Sequence, residues 1–235
     1  MIVALDHIAL AITGPATAAE AYAVLLGARP GGGRRFQLAN MALQITPGAA
    51  EPEFSLGFAV DDLAGTRRML ERRGLPEDGA GLSRAATHGV GVSLVAHHAP
   101  APPAARPDAP HALDHVVIHT PNPERAVALY GGRLGLDLRL DRVNPQWGTR
   151  LMFFRCGGAV VEISADLKAP VGDGPDRVTG LAWRVADPVA ARARLAAAGL
   201  DVSPVRPGRK PGTHVFTVRA GVPGAPALML GGDED

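Results

Sequence analysis

Leu5-Asp6-His7-Ile8-Ala9-Leu10-Ala11-Ile12 and Leu113-Asp114-His115-Val116-Val117-Ile118-His119 are two copies of one phrase, an apolar strand with an imidazole near its start. Each runs into a Pro-containing turn and then an Ala-rich helical stretch. Repetition on this scale decides the fold before any single residue does, because it means that one supersecondary unit is used several times. Fainter copies open at Phe54-Ser55-Leu56-Gly57-Phe58-Ala59-Val60 and at Gly180-Leu181-Ala182-Trp183-Arg184-Val185. The spacing repeats as well: eight residues separate His7 from Pro15, His115 from Pro123 and Gly180 from Pro188. Later in the last two copies, Gly148-Thr149-Arg150 through Gly157 aligns without a gap on Gly212-Thr213-His214 through Gly221.

Working outward, alternation of apolar residues and punctuation by glycine and proline divide the chain into four β-α-β successions. The first is read as a strand over 3–12, a helix over 16–26 and strands over 34–38 and 41–46. The second has a strand over 54–60, a helix-start signal at Asp61-Asp62, a helix over 63–73 stopped by Gly74, and a strand over 90–96. The third has a strand over 113–120, a cap at Asn122-Pro123, a helix over 124–134, and strands over 136–140, 150–155 and 159–164. The fourth has a strand over 181–185, a cap at Asp187-Pro188, a helix over 189–198, and strands over 202–205, 213–219 and 227–230. Ala99 to Pro110 is rich in Pro and Ala with little to bury, and reads as a linker between a first domain, 1–98, and a second, 111–235.

Composition narrows the function classes. A chain of 235 residues that is 46% hydrophobic buries a substantial core. Its net charge of +1, with arginines scattered among acids, offers no field to gather nucleic acid. Met1 to Ile12 carries Asp6 and His7 inside its apolar run and reads as a strand rather than a secretion signal. No apolar stretch approaches the roughly 20 residues that span a bilayer, so a soluble, cytoplasmic protein is expected. The single cysteine, Cys156, excludes an intrachain disulfide and has no neighbour that would activate a thiol.

The residues that carry a resemblance are Leu-Asp-His at 5–7 and 113–115, Gly180 to Val185, and the strand Val160-Val161-Glu162-Ile163. With four β-α-β units, they make the chain resemble the vicinal oxygen chelate superfamily: glyoxalase I, extradiol dioxygenases, fosfomycin-modifying enzymes and bleomycin-resistance proteins. The resemblance implies an α+β fold in which four βαβββ modules form two cup-shaped sheets with flanking helices. It also implies that metal ligands come from the first and last strands of a module. Carried over residue by residue, these positions are His115 and Glu162 in module three and His7 and Gln44 in module one. Module two has Ser55 and Leu94 there and module four Gly180 and Leu228, none of them useful ligands. Pairing of consecutive modules would leave each cup two donors; a complete His7, Gln44, His115 and Glu162 set requires modules one and three to face each other, within the chain or across a dimer. Imidazole and carboxylate with open positions suit Zn, Ni, Mn or Fe, and such a cation stabilises an enolate on a substrate with adjacent oxygens.

Around this set, Arg150 and Phe154, Trp183 and Lys210 are candidates to touch substrate, and Glu162, Arg150 and His214 to take part in chemistry. The plain readings stand beside them: a packing role for Trp183 and a surface role for His214. The loop Arg206 to Gly212 is rigid and cationic, suited to an anionic substrate or to an ordinary solvated turn. Three functions follow. One is a metal-dependent lyase or isomerase acting on a small oxygenated metabolite, with an extradiol-type dioxygenase as a variant. The others are a metal-free protein sequestering a small molecule, like bleomycin-resistance proteins, and a metal-free enzyme. The expected partner is a small molecule rather than nucleic acid or membrane, and cup rims leave a homodimer open.

Overall fold

The computed structural model describes residues 1–48, 50–98 and 106–232. Among them, module one comprises β1 (Ile2–Ile12), α1 (Pro15–Leu26), β2 (Arg35–Gln37) and β3 (Ala42–Pro47). Module two comprises β4 (Glu53–Val60), α2 (Leu63–Arg72), two short strands β5 (Glu77–Asp78) and β6 (Gly81–Leu82), and β7 (Gly91–Ala96). Module three has β8 (Pro110–His119), α3 (Pro123–Val127) running into a π-helical stretch Ala128–Arg133, β9 (Asp137–Asn144), β10 (Thr149–Cys156) and β11 (Ala159–Asp166). Module four has β12 (Arg177–Val185), α4 (Pro188–Ala197), β13 (Asp201–Val202), β14 (Arg206–Pro207), β15 (His214–Ala220) and β16 (Ala227–Gly231).

Helix starts follow from the side chains at the caps. Asp62 accepts from Gly65 N–H, Asn122 from Arg125 N–H, and Asp187 from both Val189 and Ala190 N–H, each meeting donors that a first turn leaves without partners. Proline occupies the first turn of α1, α3 and α4, where its missing N–H costs nothing.

The strands form two sheets, ordered β2-β3-β1-β4-β7-β6-β5 and β13-β15-β16-β12-β8-β11-β10-β9, with β14 paired to β15. Each sheet holds two consecutive modules joined through their first strands, and each first strand lies beside the last strand of its own module. This is the α+β arrangement of four modules in two sheets. Of the expected linker, residues 99–105 lie outside the described residues. The part that follows is a turn in which Arg106 donates to Asp108 at 2.9 Å, and Pro110 already belongs to β8.

By compactness the chain divides differently. One unit comprises Met1–Ile8, Phe54–Ala99 and His115–Thr179. Within it the guanidinium of Arg133 donates to the carbonyls of Gly74 and Ala86 at 3.2 and 2.6 Å, and Arg73 donates to the carbonyl of Arg133 at 3.0 Å. The segment after β11 returns along Pro121, whose carbonyl accepts from Gly172 N–H. It ends at the buried Asp176, whose carboxylate accepts from Thr120 Oγ1 and Arg125 Nη2, both at 2.7 Å. The other unit comprises Ala9–Glu53, Pro100–Asp114 and Gly180–Asp235. There Arg194 of α4 donates to the carbonyls of Val24 and Leu25 at 2.6 and 2.9 Å, supplying a cation and donors to the last turn of α1. The side chain of Asn40 exchanges two hydrogen bonds with the main chain of Leu113, at 2.7 and 3.0 Å. No helix among the described residues is long and apolar enough to cross a membrane.

Cys156, at the end of β10 opposite Ala159, is buried, and burial pushes its thiol up to about 12. The native protein is therefore expected to resist alkylation by iodoacetamide at neutral pH and to react fully once denatured. Rapid native labelling, read by mass spectrometry, would contradict this placement.

Candidate functional site

In the nine-stranded sheet, β8 and β11 run parallel with Val160 beside His115 and Glu162 beside Val117. Register partners share a face, so His115 and Glu162 project from the same side of the sheet. Their side chains meet, Nε2 to Oε2 at 3.5 Å, with 18% and 14% of each exposed. The opposite parity, Val116, Ile118, Val161 and Ile163, is fully buried in the apolar core. This alternation is the local reason for the site: two half-open polar side chains interrupt one face of an otherwise aliphatic strand pair.

Strand β10 extends that face. It pairs antiparallel with β11, setting Phe153 opposite Glu162 and Leu151 opposite Ser164. Arg150, Met152 and Phe154 therefore lie on the other face, so Arg150 and Phe154, expected as candidates to touch substrate, do not share the face of Glu162. Phe154 is wholly buried with its ring against Tyr130, centroids 5.9 Å apart. The guanidinium of Arg150 is engaged by Asp141 at 2.7 and 2.9 Å and by Glu124, and its hydrogen bonds hold the Asp141 carboxyl below the usual carboxylate range. Arg150 therefore fastens β10 to β9 and α3. The residue that shares the face of Glu162 is Phe153; parity alone separates the two phenylalanines, and the register identifies which one.

In the seven-stranded sheet, Nδ1 of His7 lies 2.8 Å from the Asp6 carboxylate. A proton held on Nδ1 by that carboxylate leaves Nε2 as the ring's acceptor, as a metal ligand or general base requires. The ring rests on Gly57 of β4, which itself stands opposite Ser93. A β-carbon at position 57 would fall 2.0 Å from His7 Cε1 and 2.3 Å from Nδ1. Sequence reasoning passed over Gly57, although a glycine inside a strand is the ordinary mark of a close approach. Gln44 is half-buried on β3, opposite Arg35. Among the described residues no three His, Cys, Asp or Glu side chains gather as a group able to hold a metal.

Module four supplies no further imidazole or carboxylate at its ligand positions, and on β12 and β16 Ala182 stands beside Leu228 and Arg184 beside Leu230. Trp183 has the opposite parity. It is fully buried, and its indole N–H has no hydrogen-bond partner among the described residues, so it packs in the core instead of lining an open face. His214 is exposed at the start of β15, opposite Gly231 and Pro207. Lys210 lines a cleft of about 590 Å³ in the second unit, together with His111, Asp114, Arg184, Thr213 and Leu230. His214 is not among the residues lining it. The Arg184 to Asp114 ion pair in this cleft, 2.8 Å from Nε to Oδ2, joins two positions that sequence reasoning had not linked. Its signal was the lone charge inside Leu181-Ala182-Trp183-Arg184-Val185.

Residues 114–217 match the family described as the Glyoxalase/Bleomycin resistance protein/Dioxygenase superfamily. A search of the curated proteins finds no match. Among solved structures, a mutant of 4-hydroxymandelate synthase from Streptomyces coelicolor superposes with a TM-score of 0.75 at 14% identity, covering 100% of this chain and 94% of that one. The 2,2',3-trihydroxybiphenyl 1,2-dioxygenase of Sphingomonas wittichii strain RW1 gives 0.70 at 16% identity, with 99% and 91% covered. The Mn(II)-bound glyoxalase of Novosphingobium aromaticivorans gives 0.69 at 18% identity, with 98% and 82% covered. At such identities the likeness is one of fold.

Proposed function

We propose that this chain, a two-domain protein of the vicinal oxygen chelate fold, is a lyase or isomerase acting on a small oxygenated metabolite, with His115 and Glu162 as the groups that carry its chemistry. The observation behind the reading is their convergence at 3.5 Å on one partly open sheet face. An imidazole nitrogen and a carboxylate oxygen are donors suited to Zn, Ni, Mn or Fe, and with only two of them most coordination positions fall to water and to the adjacent oxygens of a substrate. A cation bound there would stabilise negative charge developing on those oxygens. His115 contributes a neutral nitrogen, Glu162 the compensating negative charge, and Phe153 opposite Glu162 an apolar flank that limits water.

The donor count also supports a second reading. Two donors, with none added by module four, equally suit a metal-free protein in which His115 and Glu162 share a proton or simply hold a polar ligand. An extradiol-type dioxygenase is the less favoured variant, since its donor set would need a contribution from module four.

Elemental analysis of the full chain purified without an affinity tag separates the readings. The first expects about one equivalent of metal per chain, as an open catalytic site would hold. It also expects that His115→Ala and Glu162→Gln each drop the content far below stoichiometry while the far-ultraviolet circular dichroism stays native. Unchanged metal content in both variants would remove these residues as ligands. A wild-type chain that takes up none of the four ions on dialysis would leave the metal-free reading.

A further inference from the structure

The face that carries His115 and Glu162 continues outward in register. Val117 of β8 stands beside Glu162, Phe153 of β10 opposite it, and Leu140 of β9 opposite Phe153. Together they make one row across four strands on the same side of the sheet, with Glu162 its only polar member. Neighbouring strands lie about 4.8 Å apart, so the row extends roughly 10 Å from Glu162 to Leu140. Same-face neighbours along a strand are about 6.8 Å apart, which gives the row roughly the width of one aromatic ring.

Burial separates this row from the core behind it. Ile118, Phe154 and Val161, on the opposite side, are wholly buried, whereas Val117 and Phe153 are half-buried and Leu140 is 46% exposed. Apolar side chains placed in contact register at an open surface hold water on area that a ligand would take out of it. The row is continuous with the polar pair, since it contains Glu162, whose Oε2 lies 3.5 Å from His115 Nε2. It is also bounded. On β9 the next residues facing the same way are the exposed Asp137 and Arg142, and the exposed Arg155 stands opposite Asp137. Charges on both sides confine an apolar group to the row, because hydrocarbon laid against them would strip their water. Among the described residues β9 ends the sheet, so the row opens at its margin.

We infer that Val117, Phe153 and Leu140 bind an aryl group carried by the substrate, whose oxygens face His115 and Glu162, and that Phe153 and Leu140 set the preference for it over short aliphatic analogues. The inference rests on the reading of His115 and Glu162 as the reactive pair and adds the class of molecule that they receive.

Isothermal titration of the full chain, in the presence of Zn(II), with benzohydroxamate and acetohydroxamate tests it. The two share a pair of adjacent oxygens and differ only in phenyl against methyl. Benzohydroxamate is expected to bind at least about tenfold more tightly, from the added apolar area taken out of water. Leu140→Ser and Phe153→Ser should each bring the ratio of the two affinities to about threefold or less. Leu140 is exposed on an edge strand, so its variant reports even if Phe153→Ser disturbs the fold. Val143→Ser, on the opposite side of β9, should leave the ratio as it is. The methyl signals of Val117 and Leu140 should move with benzohydroxamate. No binding of benzohydroxamate, equal affinity for the two hydroxamates, or a ratio that neither Leu140→Ser nor Phe153→Ser changes would overturn the inference. So would a self-association, seen in sedimentation velocity, that Leu140→Ser abolishes, because the row would then be an interface between copies. Glu162→Gln tests the underlying reading separately. It should weaken both hydroxamates together and keep their ratio; unaltered binding of both would remove Glu162 as a donor, while an intact phenyl preference would still locate the apolar row.

Discussion

Replacing Asp176 with alanine should lower the stability of the native protein by about 3–5 kcal/mol, the usual result of removing one partner from a buried ion pair. The Asp176 side chain is 0% exposed and that of Arg125 only 16%. Arg125 would keep its bond to the Gly174 carbonyl, at 2.7 Å, but lose the only opposite charge with which it forms an ion pair among the described residues. Thr120 Oγ1 would lose the same acceptor. Three further buried atoms crowd this network without a hydrogen-bond partner among the described residues: Arg125 Nε, Tyr130 Oη and Asp176 Oδ2. The cluster has little reserve with which to absorb the loss. Asp176→Asn keeps an acceptor for Thr120 and should lose about half as much. The pair Asp176→Leu with Arg125→Met should lose less than the sum of its single changes, since no charge is then stranded. His88 gives a spectroscopic check. Burial first and then the Arg125 cation hold its imidazole below the ordinary value, while Asp176 pulls the other way. Without Asp176 the His88 titration followed by nuclear magnetic resonance should move lower still. A loss of under about 1 kcal/mol in urea melts, the level of an exposed pair, would mean that the carboxylate is not the anchor its burial implies.

This cluster also marks where sequence reading stopped. The four successions follow from periodicity and the caps at Asp62, Asn122 and Asp187 from residue type, because each is encoded within a few consecutive residues; the two sheets were what the family resemblance implied. Asp176 is not, since its importance comes from Thr120 and Arg125 some fifty positions away. The two short strands Glu77–Asp78 and Gly81–Leu82 lack any apolar alternation and gave no signal. The compact units group module two with module three, and module one with module four, for a related reason: side chains such as Arg133 and Arg194 that dock one helix end read locally as ordinary surface cations.

At the site, the family resemblance implied that a module's first and last strands lie side by side, which would make His115 and Glu162 neighbours; their side chains lie 3.5 Å apart. Strand β10 was harder to read. Leu151 and Phe153 on one face are as bulky as Met152 and Phe154 on the other, so hydrophobicity does not tell which face is open. Arg150 drew attention through its charge, yet that charge serves Asp141 and Glu124. Of the two readings of Trp183, the packing one fits its full burial: a large aromatic in a strand of Leu, Ala and Val is core, and the residue passed over was the arginine beside it.

The second large effect is expected at Gly57, where alanine should cost about 3 kcal/mol, the upper end for overpacking a filled interior. The added methyl would overlap the His7 ring, with separations of 2.0, 2.3 and 2.6 Å to Cε1, Nδ1 and Nε2, far inside contact distance. Strand β4 is paired on both sides, with β1 and β7, so its backbone cannot retreat and the imidazole has to leave. Its departure breaks the 2.8 Å contact with Asp6 that fixes which ring nitrogen is free. Alanine itself suits a strand no worse than glycine, so a loss of stability here would come from the collision rather than from propensity. The double variant Gly57→Ala with His7→Ala removes the collision and should recover most of the loss relative to Gly57→Ala alone. His7→Ala in the unaltered strand reports what the ring itself contributes. In Gly57→Ala the His7 ring signals should move to positions typical of solvent-exposed imidazole. Native-like signals together with full stability would show that the ring does not occupy the space this glycine leaves, and His7 would then lose its claim to a fixed, functional orientation.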